Sequence, residues 1–380
     1  MKVLYDHQIF SLQKHGGISR YCAEIIRHLP SQVVPVLPPV YGNNVYLERI
    51  NPCPQLPYIN QRPFSLKYLF KKRKPEKERK LEIERKYAIN KRKSIEVMLK
   101  QDFDIFHPTY HDNYFLEYIE HKPFVITIHD MIYELYPEML SDFQTPIWKV
   151  DLAHKASHII AVSENTKKDI IEILNIPEEK ISVVYHSSEL KDNLSGNSIQ
   201  LPDKYFLFVG ERGLYKNFLF MVQGLKPILK EQKDLFVVCT GTPFTKEERL
   251  FLRSMELEDQ FVNQFILEDA FHEVYHRAIA LIFPSYYEGF GIPILEAFNA
   301  SCPAILTYSS CFPEIAQDAA LYFEAKSIND LRAQIEKLLH DQTVRSDLIN
   351  KGKKRASEFS WNISAKQTFE VYEKVLNERI

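Results

Sequence analysis

Residues 278–300 constrain this chain more than any other stretch. Residues 278–283 form a short apolar run that suits a buried parallel strand. Gly289 and Gly291 then flank Phe290, and Pro293 stands where proline suits the first turn of a helix. Ile294, Leu295, Ala297 and Phe298 continue as a short apolar helix. The order strand, glycine loop, helix start places a loop at the carboxyl end of a strand, where open α/β sheets bind ligands. A helix start presents unpaired N–H groups and partial positive charge, which suits phosphate, and glycine lets a ligand approach the backbone closely. Glu288 in the loop and Glu296 in the first helical turns can face one cleft. A carboxylate accepts hydrogen bonds from paired hydroxyls, as on a sugar ring or a ribose. Together these features suggest a nucleotide sugar. A tight turn with a capping glutamate is the plainer alternative.

The same order recurs twice. A strand at 3–5 leads through Gly16-Gly17 into a helix whose Ile18, Cys22, Ile25, Ile26 and Leu29 share one face. A strand at 205–209 leads to Gly210, Arg212, Gly213, Lys216 and Asn217. An arginine forks onto two phosphate oxygens and a lysine adds a point charge. Two exposed basic residues on a loop is the alternative reading there. Between these points strands and helices alternate. Strands are expected at 104–107, 124–128, 158–162, 181–185, 235–239, 264–266 and 321–323. Ser163 suits the N-cap of a helix to Leu174, and Asp269 suits the cap of a helix ending near Ala278. Helices are expected at 245–255, 328–339, 344–359 and 363–376. The polar stretch 187–201 reads as a linker. His129-Asp130 closes the strand at 124–128, where sites form, and a histidine capping the next turn is as good a reading from the residues alone.

At 380 residues the chain allows two domains. A net charge of −2 gives no global field for nucleic acid, and none is expected as a partner. Five scattered cysteines without metal-ligand spacing fit reduced cytosolic thiols. No run approaches the ~18 apolar residues of a bilayer span, so the expected location is cytoplasmic. Residues 61–100 differ: they carry fifteen Lys/Arg against five Asp/Glu and read as a charged helix or helix pair. A solvated charged face is the default. A basic amphipathic patch on an anionic membrane is the functional alternative.

The stretch Phe-Pro-Ser-Tyr-Tyr-Glu-Gly-Phe-Gly-Ile-Pro-Ile-Leu-Glu-Ala at 283–297 resembles the donor-site signature of the retaining GT-B-fold glycosyltransferases of the group 1, or family 4, type. Pro303-Ala304-Ile305, Pro313-Glu314-Ile315-Ala316, Gly16-Gly17-Ile18-Ser19-Arg20-Tyr21 and Phe359-Ser360-Trp361 are similar to further words of that family. His186-Ser187-Ser188-Glu189 and Ser301-Cys302 depart from it where relatives often carry glycine.

The resemblance implies an α/β chain of GT-B type, with two Rossmann-like domains facing a central cleft. An acceptor-side domain would span 1–190, with a basic insertion at about 61–100. A donor domain would span 200–362, and a helix at 363–380 would cross back to the first domain. It implies transfer of a hexose from a nucleoside diphosphate sugar to a hydroxyl, with retention and without a metal or other cofactor. The donor is UDP-glucose-like as first choice and GDP-mannose as second. The acceptor is a saccharide or lipid-linked saccharide, met on the inner face of the plasma membrane through 61–100. Arg212, Lys216 and the helix start at Gly291-Ile292 would grip the diphosphate, with Arg212 alternatively structural. Glu296 would hold the ribose, and Glu288 with Gly289 and Phe290 the sugar. His129 would contact the sugar across the cleft, Asp130 would orient the loop or the histidine, and Gly16 and Gly17 would line the facing wall. His107 and His111 are acceptor-cleft candidates. A non-catalytic nucleotide-sugar-binding assembly protein is the alternative function.

Overall fold

The computed structural model describes residues 1–50, 76–139, 147–190 and 199–378. The basic residues at 61–75 and most of the expected linker, 191–198, lie outside them.

The first half contains β1 (Lys2–Tyr5), α1 (Gln8–Leu12), α2 (Gly17–His28), β2 (Val34–Val36), α3 (Glu76–Met98) and β3 (Ile105–His107). β4 (Val125–Ile128), α4 (Ile132–Leu135), α5 (Ile147–Lys155), β5 (His158–Ala161), α6 (Glu164–Leu174) and β6 (Ile181–Val183) follow. The strands form two parallel triplets, β2-β1-β3 and β4-β5-β6, joined by a parallel bridge between Phe106 and Phe124. Short apolar strands covered on both faces are what parallel sheets require. Ser163 caps α6 as its sequence position predicts, accepting from Thr166 N. Its αL C-cap is Asn175, which tolerates φ 53°.

The second half runs β7 (Lys204–Phe208), α7 (Phe218–Glu231), β8 (Leu235–Cys239), α8 (Lys246–Ser254), β9 (Phe261–Asn263), α9 (Phe271–Arg277) and β10 (Ala280–Phe283). It continues with α10 (Ile292–Asn299), β11 (Ala304–Thr307), α11 (Phe312–Ala316), β12 (Leu321–Phe323), α12 (Ile328–His340) and α13 (Gln342–Ala356). Its six strands form one parallel sheet in the order β12-β11-β10-β7-β8-β9. The order reverses between β7 and β10, so the loops that follow these two strands are neighbours. Tyr286 N donates to Tyr215 O across that gap at 2.8 Å.

The last helix, α14 (Trp361–Asn377), returns to the first half. Its Trp361, Ala365, Phe369, Tyr372 and Val375 share one buried core with Tyr5, Tyr21 and Ile25. The helix expected to cross back therefore does so, starting two residues earlier, with Ser360 as its N-cap.

Two local expectations need correction. The strand placed at 264–266 is β9 at Phe261–Asn263, which pairs with Val237–Cys239. Phe265 is 67% exposed beyond the end of that ladder, so its apolar character misplaces the strand. Asp269 caps nothing: α9 begins after Ala270 with no side-chain cap, and Asp269 sits in a 3₁₀ turn ahead of it.

Candidate active site

Two helix starts face each other. α10 begins at Gly291, whose φ of 91° is left-handed and favours glycine. Pro293 fits the first turn of α10, where an N–H has no helical partner in any case. α2 begins at Gly16-Gly17, and a Cβ on Gly17 would lie 3.8 Å from Ile292 Cδ1. Both starts direct orphan N–H groups toward the seam between the halves.

The glycine loop is docked on the first half. A Cβ on Gly289 would fall 1.6 Å from His129 O, so no other residue fits without moving the loop. Ser163 Oγ donates to Gly289 O at 2.7 Å and Thr166 Oγ1 at 3.3 Å. Glu314 from α11 accepts from Glu164 N and Asn165 N, the first turn of α6. Phe290 packs edge-on against His186 at 5.0 Å between ring centres.

At the switch point, Lys216 Nζ donates to Glu288 Oε1 at 2.5 Å, with both side chains 13% exposed. Lys216 also lies over the Phe283 and Tyr215 rings, each 5.2 Å away. The cation and the acid singled out in the sequence are thus each other's partner at the carboxyl end of β10. Glu296 sits behind them in α10, 8% exposed. Its Oε1 accepts from Arg20 Nη1 at 2.6 Å and its Oε2 from Tyr275 OH at 2.8 Å. Arg20 belongs to α2, so this buried ion pair spans the two halves.

Arg212 is not brought to this cluster. Its Nε donates to Glu248 Oε1 at 2.9 Å and its Nη2 to Thr242 O and Pro243 O. The guanidinium also stacks on Phe244. With 2% of its side chain exposed, it is held by the 242–248 segment through Nε and Nη2, while its buried Nη1 has no hydrogen-bond partner among the described residues.

His129 meets Tyr21 and His186 at 5.1 and 5.6 Å between ring centres. Burial, reinforced by His186, His111, His107 and Lys149, holds its pKa well below the usual value, so it is neutral near pH 7. On its outer side a small pocket of about 20 Å³ is lined by Ile18, Tyr110, His111, Asp130, Tyr133 and Lys149. Asp130 Oδ1 accepts from Ile132 N in the loop that follows β4. His111 lines this pocket, and burial lowers its pKa to about 4. His107 is not a cleft residue. Its Nδ1 and Nε2 are hydrogen-bonded to Tyr372 OH and Thr127 Oγ1 inside the core, and burial lowers its pKa to about 3.

The sequence also holds an Asp-x-Asp triplet, Asp102-Phe103-Asp104, a spacing used elsewhere to bind metals. It lies at the amino end of β3, away from the cleft, where Asp102 pairs with Lys2 Nζ and Asp104 accepts from Lys2 N. An open groove lined by Leu201, Lys204, Asp234, Phe236 and Gln264 lies by the amino ends of β7 and β8, away from the loops that follow β7 and β10.

Residues 15–188 match the Glycosyltransferase Family 4 model and residues 191–355 the Glycosyl transferases group 1 model. The chain belongs to this glycosyltransferase family. A Salmonella typhimurium O-antigen chain mannosyltransferase, RfbU, is 31% identical over 203 residues, covering 52% of this chain and 55% of that protein. An Escherichia coli O-antigen chain mannosyltransferase B is 24% identical over 57% of this chain and 60% of its own. The matched region thus spans little more than half of either relative. The crystal structure of Anabaena Alr3699/HepE in complex with UDP and glucose superposes with a TM-score of 0.73 at 15% identity, over 98% of this chain and 100% of that one. At that identity the likeness establishes the GT-B fold of this family member. Among the described residues no helix is long and apolar enough to cross a membrane.

Four residues at the seam were not singled out as site residues: Arg20, Tyr275, His186 and Lys149. Arg20 lies in the 16–21 glycine stretch and His186 just before the linker, but neither their partners nor Tyr275 and Lys149 can be found without the fold. Lys149 Nζ donates to Glu134 Oε2 at 2.7 Å and to Asp130 O at 3.1 Å, fixing the wall of the outer pocket.

Proposed function

We propose that this family member transfers a hexose from a nucleoside diphosphate sugar to an acceptor hydroxyl, with retention and without a metal. The observation that carries the reading is the Lys216–Glu288 pair at the β7/β10 switch point, beside the α10 start and next to Gly289, which abuts His129 O. A donor would insert there, its diphosphate exchanging Glu288 for phosphate oxygens at Lys216. As the bond from the anomeric carbon to the phosphate oxygen breaks, charge gathers on the diphosphate. Lys216 and the N–H groups at Gly291 and Ile292 are fixed where that charge develops. Glu288 then accepts from sugar hydroxyls and Glu296 from the ribose. The acceptor oxygen bonds to the anomeric carbon on the face the phosphate leaves, and the hydroxyl proton passes to the released diphosphate. Neutral His129 contacts the sugar without adding a second cation. Arg212 supports the loop at Thr242, which borders the nucleotide.

Mannose takes precedence over glucose as the transferred sugar, because RfbU and its Escherichia coli counterpart are mannosyltransferases while the UDP and glucose complex is related at 15% identity. GDP-mannose thus moves ahead of UDP-glucose as the donor. An acceptor in O-antigen-like polysaccharide assembly follows from the same relatives. For a lipid-linked acceptor, the stretch 61–100 would rest on anionic lipid; in its described part Leu81 and Ile83 of α3 are exposed beside Arg85 and Lys86.

A thermal-shift panel of GDP, UDP and ADP tests the reading. A nucleotide at 100 times its Kd stabilises by about 2.7 kcal/mol, a readable rise in melting temperature. GDP should give the largest shift, and Lys216→Ala should abolish it. No shift with any nucleotide, followed by no sugar release from GDP-mannose or UDP-glucose, would contradict it.

A further inference from the structure

Glu296 and Arg20 are separated by 276 residues yet form a buried pair at 2.6 Å. Both are nearly inaccessible, at 8% and 7% exposure. Arg20 lies one turn into α2, after the glycines that face Ile292. Its second terminal nitrogen, Nη2, donates to Glu189 O at 3.2 Å, in the segment where the chain leaves the first half. Asn299, at the far end of α10, donates to Ser188 O in the same segment. One guanidinium therefore touches the first half, the crossing segment and the second half.

We propose that Arg20 is a positioning residue: it fixes the Glu296 carboxylate for the donor's ribose from the opposite half, so that donor binding requires the halves to be closed. This rests on the proposed function, which assigns the ribose to Glu296. A carboxylate has about four acceptor sites. Tyr275, from the same half as Glu296, takes one on Oε2, and Arg20 takes one on Oε1. One site on each oxygen remains, the number a vicinal diol needs. Tyr275 alone holds one oxygen and leaves the carboxylate free to rotate about that bond. The second anchor comes only from α2, and only when α2 and α10 are in contact. A planar fork reaching two acceptors 3.2 Å or less away is a task lysine cannot duplicate. The ion pair thus couples closure, a property of the whole molecule, to the orientation of one carboxylate.

The test is calorimetric titration of the full chain with GDP, UDP and their 2′,3′-dideoxy analogues, using wild type, Arg20→Gln, Arg20→Lys and Glu296→Gln. Arg20→Gln should weaken the better ribonucleotide by roughly 10- to 100-fold, the range of a charge-assisted hydrogen bond. Its effect on the dideoxy analogue should stay within about twofold, because that ligand has no diol to present to Glu296. Arg20→Lys should fall between wild type and Arg20→Gln. Combined with Glu296→Gln, Arg20→Gln should add nothing further. Equal losses for ribo and dideoxy ligands would show a merely structural tie and overturn the proposal. So would unchanged ribonucleotide affinity. Should Arg20→Gln fail to fold, the same ribo-to-dideoxy comparison on Arg20→Lys decides. If wild type binds neither GDP nor UDP, the proposed function itself falls, an outcome distinct from a wild type that binds and an Arg20 variant that binds equally well.

Discussion

The two walls of the cleft are made from opposite chemistry. The second-half wall is charged: Lys216, Glu288 and Glu296 lie at or behind the α10 start, each engaged in an ion pair. The first-half wall is mainly aromatic, with neutral imidazoles: Tyr21, His129 and His186 contact one another, and the pocket beside them adds Tyr110, His111 and Tyr133, with Asp130 and the Glu134-paired Lys149 at its edge. Charge is fixed where a diphosphate would gain charge. On the facing wall burial keeps the imidazoles uncharged, so that wall offers shape, ring faces and single hydrogen bonds. A carbohydrate hydroxyl needs no more than that.

The sharpest way to break this contrast is to part the walls. Gly289→Ala places a methyl carbon where His129 O now sits, and the loop must retreat. Transfer should fall by about 100-fold or more, the cost of roughly 1 Å of misplacement at a reacting centre. Nucleotide affinity, set mainly on the charged wall, should fall much less; steady-state kinetics beside a nucleotide titration separates the two. Lys216→Ala tests the charged wall alone. Removing a cation that meets developing charge should lower kcat by about 10²-fold. Lys216→Arg should recover part of that loss, and a rate within threefold of wild type for Lys216→Ala would argue that the pair with Glu288 is structural only.

The buried histidines on and behind the neutral wall have their own signature in acid. Burial depresses the pKa of His107 and His186 to about 3 and of His111 to about 4, and holds His129 low as well. The unfolded chain, with histidine near 6.5, binds more protons than the folded one below that pH. The stability is therefore complete above about pH 6.5 and is lost progressively toward pH 3–4, with at most about 1.4 kcal/mol per pH unit for each such histidine. Trp361 lies 6.2 Å from His186 between ring centres, so its fluorescence in a Trp148→Phe background reports this wall. Its urea midpoint should drop between pH 7 and pH 4.5, and His107→Gln should flatten the slope. The smallest effect is expected at Asp102. Its pair with Lys2 is exposed and far from the cleft, so Asp102→Asn should leave activity within about twofold, with or without a chelator.

How much of this was legible in the sequence differs between the walls too. Glycine loop, helix start, Lys216, Glu288 and Glu296 are local words, and the sheet order that brings Lys216 to Glu288 follows from a regular α/β alternation. Ser163 announced itself as a cap because capping is a local hydrogen bond. The neutral wall is assembled from α2, α4 and the segments after β3, β4 and β6, and nothing in a histidine's neighbours tells a core position from a cleft position. His107 was misjudged for that reason: Tyr372, which binds its Nδ1, is 265 residues away. The partners of Arg212 and Arg20 were hidden in the same way, one across a sheet and one across the whole molecule. Phe265 shows the converse failure, an apolar residue that the ladder leaves outside.

A crystal soaked with GDP tests the central claim most directly. The account predicts a diphosphate against Lys216 Nζ and the N–H groups at Gly291 and Ile292, with Glu288 released from the lysine and the ribose hydroxyls on Glu296. Nucleotide bound instead in the groove around Lys204 and Phe236, or bound with the Lys216–Glu288 pair still closed, would contradict it.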